Sequence, residues 1–267
     1  MSSEKFDKQL PLLAVDVGNT SIALGLFLNL TDARLLKTAK IASHPALPAS
    51  EMKQKFHRFL GRRIARTGVY IVIGSVVPPL AKRLAAATSS VSRLTLSVNA
   101  RCDFGFQLAV DTPAALGVDR IANAAAAWTL RKRPVAVADF GSATTVSIMD
   151  GEAFRGGAIL PGVVMMRDAL SYRTARLPSA SLEADVSAVA THTDAAIRSG
   201  IVLGTAGAVE KLISTAEREL RLKLSLFVTG GNASLVIPFL SRRHVFAPDL
   251  TLQGFRIIFL RRLDLSL

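Results

Sequence analysis

The chain has 267 residues, half of them hydrophobic, so it can bury one large core or two smaller ones. Its single cysteine, Cys102, excludes an intramolecular disulfide and fits a reducing compartment. The uncharged segment at residues 67–81 is too short and too interrupted by Gly and Pro to span a bilayer, and the charged N-terminus is unlike a signal peptide. We therefore expect a cytoplasmic protein without a membrane segment.

The formal net charge of +13 raises the alternative of nucleic-acid binding. The basic residues form scattered doublets and triplets, and the aromatic residues do not interleave with them as they do in single-strand platforms. This pattern favours a solvated basic surface that gathers anionic small substrates, with no nucleic-acid partner.

The first predicted elements are two strands joined by a polar turn. The apolar run 12–15 leads into Asp16, a turn follows at residues 18–21, and a second apolar run covers residues 22–27. In the matching turn of a second copy at residues 135–150, Gly141 permits backbone angles that side chains forbid, and the hydroxyls and amides of such a turn can surround an anion. Taken alone, the segment is also compatible with an ordinary hairpin, because Asp, Gly and Thr are common turn residues.

The next elements alternate strands and helices. We predict a strand at 34–41, a helix at 51–67 capped by Ser50, a buried strand at 69–73, a helix at 80–87 and a strand at 94–98. The turn at 74–79 follows the carboxyl end of a strand, where open α/β sheets bind ligands.

Two adjacent charges, Asp119 and Arg120, follow Gly117 and precede the Ala-rich helix predicted at 121–130. We place them in a glycine-assisted break after a helical turn that begins at Pro113. A surface ion pair or a helix cap explains them as well as a functional site does, and this stretch alone leaves both open.

A second copy of the strand, Asp-x-Gly, hydroxyl turn and strand pattern occupies residues 135–150, with Asp139 lying 123 residues after Asp16. Its turn holds Gly141, Ser142, Thr144 and Thr145. Two matched copies indicate an internal duplication, and we place the boundary in the basic turn 131–133. The predicted domains are residues 1–132 and 133–267.

The second half continues with alternating elements. We predict strands at 154–159, 224–228 and 244–246, and helices at 163–170, from Thr193 to about residue 220, from residue 234, and at 250–263. A surface loop is predicted at 172–187. The glycines of Thr229-Gly230-Gly231-Asn232 let backbone approach a flat ligand such as adenine. None of the four histidines has metal-ligand spacing.

Seven motifs, in order along nearly the whole chain, resemble those of the type III pantothenate kinases. They are DVGNT (16–20), SVVPPL (75–80), GVDR (117–120), DFGSATT (139–145), GGAILPG (156–162), TARLP (174–178) and DLTLQG (249–254). The resemblance implies an α/β fold of duplicated RNase H-like, actin-like ATPase domains with ATP in the cleft between them. It also implies ATP-dependent phosphorylation of pantothenate, and a homodimer.

The resemblance also implies residue roles. The ATP phosphates are held by the first turn, with Asp16 acting on Mg²⁺, and Ser142 contacts the nucleotide. Asp139 binds a monovalent cation, K⁺ or NH₄⁺. Asp119 is the general base, because a carboxylate ionised at neutral pH can accept the hydroxyl proton. The residues assigned to the first turn are Asp16, Val17, Gly18, Asn19, Thr20 and Ser21, and those assigned to pantothenate are Val110, Gly117, Val118, Asp119, Arg120 and Thr193.

Three positions depart from the family pattern. Val118 stands where alanine is usual, Ser142 where threonine is usual, and Val110 where a tyrosine commonly contacts the substrate. Two alternatives remain beside the pantothenate kinase: a non-catalytic accessory relative with a role in gene regulation, and a kinase of the same superfamily that acts on another small alcohol.

Overall fold

A computed structural model describes residues 6–43, 48–174 and 177–265. The chain folds into two compact units. Unit 1 comprises Met1–Phe106, Asp111–Ala126 and Asp249–Leu267, and unit 2 comprises Gln107–Val110 and Ala127–Pro248. Residues 44–47, before the first helix, and Ala175 and Arg176 of the TARLP motif lie outside the described residues. No helix in the described ranges is long and apolar enough to cross a membrane.

Unit 1 contains a five-stranded sheet in the order β3-β2-β1-β4-β5. β1, β2 and β3 form an antiparallel meander, whereas β4 pairs parallel to β1 and β5 parallel to β4. β1 and β4 are almost entirely buried because each is an apolar run with neighbours on both sides. The strands are β1 (Leu12–Val17), β2 (Ser21–Phe27), β3 (Leu35–Ala42), β4 (Val69–Ser75) and β5 (Ser92–Ser97).

Helices α1 (Ala49–Thr67) and α2 (Pro78–Thr88) cover the sheet of unit 1 with an apolar face. Met52, Phe56 and Leu60, spaced four residues apart, form the buried face of α1, which lies where a helix was predicted. The predicted Ser50 cap is wrong: the N-cap is Pro48, which makes no side-chain capping bond, and Ser50 already lies in the first turn. Gly61, at φ 81°, kinks α1.

Unit 2 contains a six-stranded sheet in the order β11-β10-β7-β8-β9-β6. Its helices α4 (Val163–Arg173) and α5 (Thr193–Leu220) pack against a core of Ala, Val and Ile residues from β7, β8 and β10. A short helix α6 (Ala233–Val236) follows β10 and continues into a 3₁₀ turn. The strands are β6 (Gln107–Leu108), β7 (Val135–Phe140), β8 (Ala143–Met149), β9 (Ala153–Pro161), β10 (Ser225–Thr229) and β11 (His244–Phe246).

The two sheets repeat one topology, which confirms the duplicated α/β fold expected from the matched hairpins. In each, an antiparallel meander of three strands is followed by two strands parallel to the first, and unit 2 adds only β6 at one edge. Burial repeats as well: β1 and β7 share one pattern of buried and half-buried residues, and so do β2 and β8.

Helices α3 and α7 are placed differently from what their order in the sequence suggests. Helix α3 (Val118–Arg131) begins in unit 1 and ends in unit 2, and α7 (Leu250–Arg262) packs on β1, β2 and β4 of unit 1. The predicted division after Lys132 assigns α7 to the second half of the chain, whereas it packs within unit 1. The division into residues 1–132 and 133–267 stays a prediction about where the duplicated halves of the chain meet.

Candidate active site

The first hairpin turn, in unit 1, has a fixed backbone and exposed polar side chains. The Gly18 amide donates to the carbonyl oxygen of Ser21 at 3.0 Å, and the Ser43 amide donates to the carbonyl oxygen of Thr20 at 3.0 Å. Asn19 and Thr20 are exposed, while Asp16 is half-buried near the end of β1. Such a turn can present amides and hydroxyls to an anion without first reorganising.

The SVVPPL motif forms a second turn beside the first. The Val76 amide donates to the carbonyl oxygen of Val17 at 3.1 Å, and the Val77 amide donates to the Ser75 hydroxyl at 2.8 Å. Proline then occupies the first turn of α2, where a missing amide hydrogen is tolerated. The two motifs therefore meet at the carboxyl edge of β1 and β4, the ligand-binding edge of open α/β sheets.

Asp119 and Arg120 lie in the first turn of α3, so the predicted break at these residues is wrong. The amides of Arg120 and Ile121 already donate to the carbonyl oxygen of Gly117, at 3.1 and 3.3 Å. Asp119 Oδ1 accepts a hydrogen bond from the Arg120 amide at 2.9 Å. A carboxylate is favoured in this position by the positive end of the helix dipole.

The side chain of Arg120 is half-buried beside this carboxylate. Burial lowers the pKa of the Arg120 guanidinium, while the charge of Asp119 opposes that shift. An arginine nonetheless remains protonated at neutral pH, because its ordinary pKa lies so far above it. The pair thus places a base and a partly desolvated cation next to each other, which suits an anionic substrate that carries a hydroxyl.

The DLTLQG motif holds α3 in place. Gly254 of α7 packs so closely on α3 that a methyl group there would overlap the carbonyl oxygen of Ala122. Thr251 Oγ1 donates to Oδ1 of Asn123, an amide that is only 1% exposed, at 2.8 Å. Asn123 was not among the predicted site residues, although a lone amide within an alanine-rich helix was a usable signal.

The second hairpin turn, in unit 2, is covered by the loop after β10. A Cβ atom at Gly230 would lie 2.5 Å from Asp139 Oδ1, and Gly230 has φ +101°, so no other residue fits there without strain. The Asn232 amide donates to the carbonyl oxygen of Phe140 at 2.9 Å, and Asn232 Nδ2 donates to that of Gly141 at 3.1 Å. The Thr-Gly-Gly-Asn loop is therefore fixed against Asp139.

The same turn is rich in oxygen atoms. Gly162 packs directly on it, since a methyl group there would overlap the carbonyl oxygen of Ser142. The Thr144 hydroxyl is buried and has no hydrogen-bond partner among the described residues. With the half-buried carboxylate of Asp139 and the carbonyl groups of the turn, this donor set fits a cation of low charge density. Ser142 itself is exposed.

The remaining two predicted substrate contacts belong to unit 2. Val110 is half-buried, with its Cγ1 3.6 Å from the position that a Cβ atom would take at Gly156. Thr193 is exposed as the first residue of α5, directly after His192, whose ring accepts a hydrogen bond from the Ala195 amide at 3.4 Å.

Within the described ranges, no three or more His, Cys, Asp and Glu side chains are grouped to hold a metal ion. Each hairpin turn contributes one acid, Asp16 or Asp139. A single carboxylate is a usual protein contribution when Mg²⁺ takes its other ligands from substrate phosphates and water. The first turn therefore fits a metal ion that arrives with a nucleotide.

A family model described as type III pantothenate kinase matches residues 12–215, well over half of the chain. The chain belongs to the type III pantothenate kinase family. A type III pantothenate kinase from Rubrobacter xylanophilus is 34% identical over 258 residues, covering 93% of this chain and 97% of that protein. The family expected from the seven motifs is thereby confirmed.

Solved structures show the same fold at low sequence identity. A conserved putative Baf family transcriptional activator from Campylobacter jejuni has a TM-score of 0.63 at 19% identity, covering 95% of this chain and 100% of that one. An inorganic polyphosphate/ATP-glucomannokinase from Arthrobacter sp. strain KM has a TM-score of 0.50 at 17% identity, covering 94% and 99%. This pantothenate kinase family member thus shares its two-sheet α/β fold with these solved structures.

Proposed function

We propose that this protein transfers the γ-phosphoryl group of ATP to the terminal hydroxyl of pantothenate, the first step of coenzyme A synthesis from that vitamin. Membership of the type III pantothenate kinase family supports the reaction. The observation that carries the mechanism is the Asp119–Arg120 pair in the first turn of α3, held in place by α7.

Phosphoryl transfer requires little covalent chemistry from the protein, so positioning and charge neutralisation supply most of the acceleration. The first turn, Asp16 to Ser21, binds the ATP phosphates, and Asp16 holds Mg²⁺ directly or through water. When bound, the metal ion neutralises phosphate charge. In the second turn Ser142 contacts the nucleotide, and Asp139 with its neighbouring oxygens holds K⁺ or NH₄⁺.

Asp119 accepts the proton of the pantothenate hydroxyl as that oxygen attacks the γ-phosphorus. Arg120, with the backbone of Gly117 and Val118, binds pantothenate, because a guanidinium pairs well with a carboxylate. Thr193 offers a hydroxyl to the substrate. Val110 contributes an apolar contact where the family commonly has a tyrosine, so one hydrogen bond of the usual substrate site is absent.

We also propose that the protein is a cytoplasmic homodimer. Unit 2 carries an apolar cavity of about 680 Å³ between α4 and α5, lined by residues that include Met165, Met166 and Ile201. Met165 is 51% exposed and Tyr172 is 87% exposed. Exposed apolar surface of this kind marks protein interfaces, and a second copy would cover it. Light scattering of the wild type and of Met165→Glu tests this. The wild type should have the mass of a dimer and the variant that of a monomer, because the new carboxylate would be buried in the interface.

The kinase is tested by ADP release with ATP and Mg²⁺, with and without pantothenate. Asp119→Asn should lower kcat by about 100- to 10,000-fold, the usual contribution of a general base, with the melting temperature unchanged. Asp111→Asn is the matched control, since Asp111 is an exposed acid of the same unit.

Turnover with another small alcohol but not with pantothenate would favour the related kinase instead. If folded protein shows no turnover with any acceptor, the accessory-protein alternative takes first place.

A further inference from the structure

The folded chain concentrates its positive charge on one surface of unit 1. Helices α1 and α2 carry eight Lys and Arg residues and one acid, Glu51, a net charge of +7 out of +13 for the whole chain. Glu51 is already paired with Lys55 at 2.9 Å. The cations are Lys53, Lys55, Arg58, Arg62, Arg63, Arg66, Lys82 and Arg83. With Lys37 and Arg93, which flank α1, we call this surface the basic face.

Contacts on both flanks of α1 place two further cations against this helix. Lys37 Nζ of β3 lies 4.8 Å from the ring centroid of Phe59. At the far end of α1, Arg93 Nε and Nη2 donate to the carbonyl oxygen of Thr67 at 3.2 and 2.9 Å. Arg62, Arg63 and Arg66 are all exposed on the helical segment beyond the Gly61 kink. Lys37 and Arg93, which lie outside α1 in the sequence, therefore lie against it in the fold.

The arginine-rich end of the basic face lies away from the first hairpin turn. β4 starts at Val69, directly after α1, and ends at Ser75 beside Val17. Seven strand residues span roughly 20 Å, so Arg62, Arg63 and Arg66 are at the amino edge of the sheet and Asp16 is at its carboxyl edge. Gathering ATP at the first turn does not account for these three arginines.

The side chains between the cations indicate the chemistry of the ligand. Among the described residues, no large hydrophobic side chain of α1 or α2 is strongly exposed, and Phe56 is fully buried. The surface thus has neither the stacking aromatics of single-strand binders nor apolar anchors for a bilayer. Arginines can each bind a phosphate through two parallel hydrogen bonds.

We propose that the basic face binds the phosphate backbone of double-stranded nucleic acid without reading its sequence. Phosphate contacts by Lys and Arg release condensed counterions. The expected dissociation constant is therefore about 1 to 100 μM at physiological salt, and it should rise steeply with salt concentration. The proposal departs from the sequence-based expectation of a solvated surface without a nucleic-acid partner, because α1 and α2 bring eight bases onto two neighbouring helices.

The test is the fluorescence anisotropy of a labelled mixed-sequence DNA duplex of about 25 base pairs, titrated with the full-length protein over a range of KCl. The variant Arg62→Gln/Arg63→Gln/Arg66→Gln should weaken binding at least about tenfold at low salt. Its slope of log K against log [KCl] should fall in magnitude by about 2 to 3, since each phosphate contact contributes about 0.9.

The matched control, Lys211→Gln/Arg218→Gln/Arg243→Gln, removes the same charge from exposed positions of unit 2. It should leave the slope within about 0.5 of the wild-type value. An equal loss in both variants would overturn the proposal, because net charge alone would then explain binding. If the basic-face variant misfolds, the three single substitutions replace it, each with an expected slope change of about 0.9.

Two further arms separate the polyanions. Vesicles of anionic lipid, at the same ionic strength, should bind more weakly than the duplex, and a single strand of equal length should not bind more tightly. Preference for vesicles or for the single strand would overturn the proposal in favour of that ligand. ADP release by the basic-face variant should remain at the wild-type rate, since none of the three arginines belongs to the proposed catalytic machinery.

Discussion

The two hairpin turns have the same scaffold but different surroundings. Asp16 and Asp139 take the same position in strands with the same burial pattern. Around the first turn Asn19 and Thr20 remain exposed, whereas the second is packed by Gly162 and by the loop that begins at Gly230. The two copies therefore share the strand pair, and packing around each distinguishes the two turns.

The difference has a chemical consequence. The open turn presents backbone amides and hydroxyls, which favour the phosphates of a nucleotide. The enclosed turn converges oxygen atoms from Asp139, the carbonyl groups and the buried Thr144 hydroxyl, which favour a cation. The same strand pair, present twice, thus carries one turn suited to phosphates and one suited to a cation, as the proposed phosphoryl transfer requires.

The sharpest test of the two proposed roles replaces each acid by asparagine in a separate variant. Asp139→Asn should lower turnover in potassium about 100-fold and abolish the difference between potassium and sodium, because the cation loses its charged ligand. Asp16→Asn should retain the potassium preference but require more Mg²⁺. Initial rates over a matrix of both cations would show this. The same cation response in both variants would contradict the division of roles.

A buried ion pair lies at the other end of β10 from the enclosed turn. Arg242 and the Leu224 amide hydrogen-bond to Glu217, and the Arg242 hydrogen bonds hold the pKa of Glu217 down at about 2. A carboxyl with a lowered pKa stabilises the fold above its unfolded-state pKa and loses this contribution as the pH falls toward 2. The contribution at neutral pH is about 3 kcal/mol.

Glu217→Gln should therefore lower the free energy of unfolding at pH 7 and flatten its decline between about pH 5 and pH 2. Urea unfolding at several pH values measures both. Asp168→Asn, at a half-exposed pair with Arg167, is the control and should change stability by less than about 1 kcal/mol. An unchanged pH dependence in Glu217→Gln would refute the assigned role.

Gly230→Ala should destabilise the protein by about 1 to 3 kcal/mol, because the residue has a left-handed backbone and the methyl group would press on the Asp139 carboxylate. Potassium activation should weaken with it. Gly207→Ala is the contrasting variant, since its added methyl group meets nothing within 4 Å in the middle of α5. It should stabilise by up to about 1 kcal/mol. Thermal unfolding distinguishes the two.

The smallest expected effect concerns unit 1, which holds the open turn. There α7, rather than a loop, packs against α3 and the proposed reactive residues Asp119 and Arg120. Thr251→Val removes the hydroxyl that donates to Asn123 and should cost about 1 to 2 kcal/mol. If the bond positions Asp119, kcat should fall more than KM rises, and Thr251→Ser should restore it. A loss of stability with kcat intact would assign Thr251 a structural role only.

Local sequence signals determined much of the molecule. Thr193–Leu220 was predicted from end to end, and the paired hairpins indicated the duplication, because helix and strand periodicity and turn chemistry act between neighbours in the chain. The motif order also identified the family. The roles assigned to individual site residues remain predictions that the variants above address.

Only the tertiary structure decided the rest. Asp119 lies inside α3 rather than in a break, since the carbonyl oxygen of Gly117 starts the helix and α7 packs against it. α7 joins unit 1 because its apolar face fits β1 and β4, which are distant in sequence. The basic face exists because α1 packs beside α2. Each of these depends on packing between residues far apart in the chain, which periodicity does not encode.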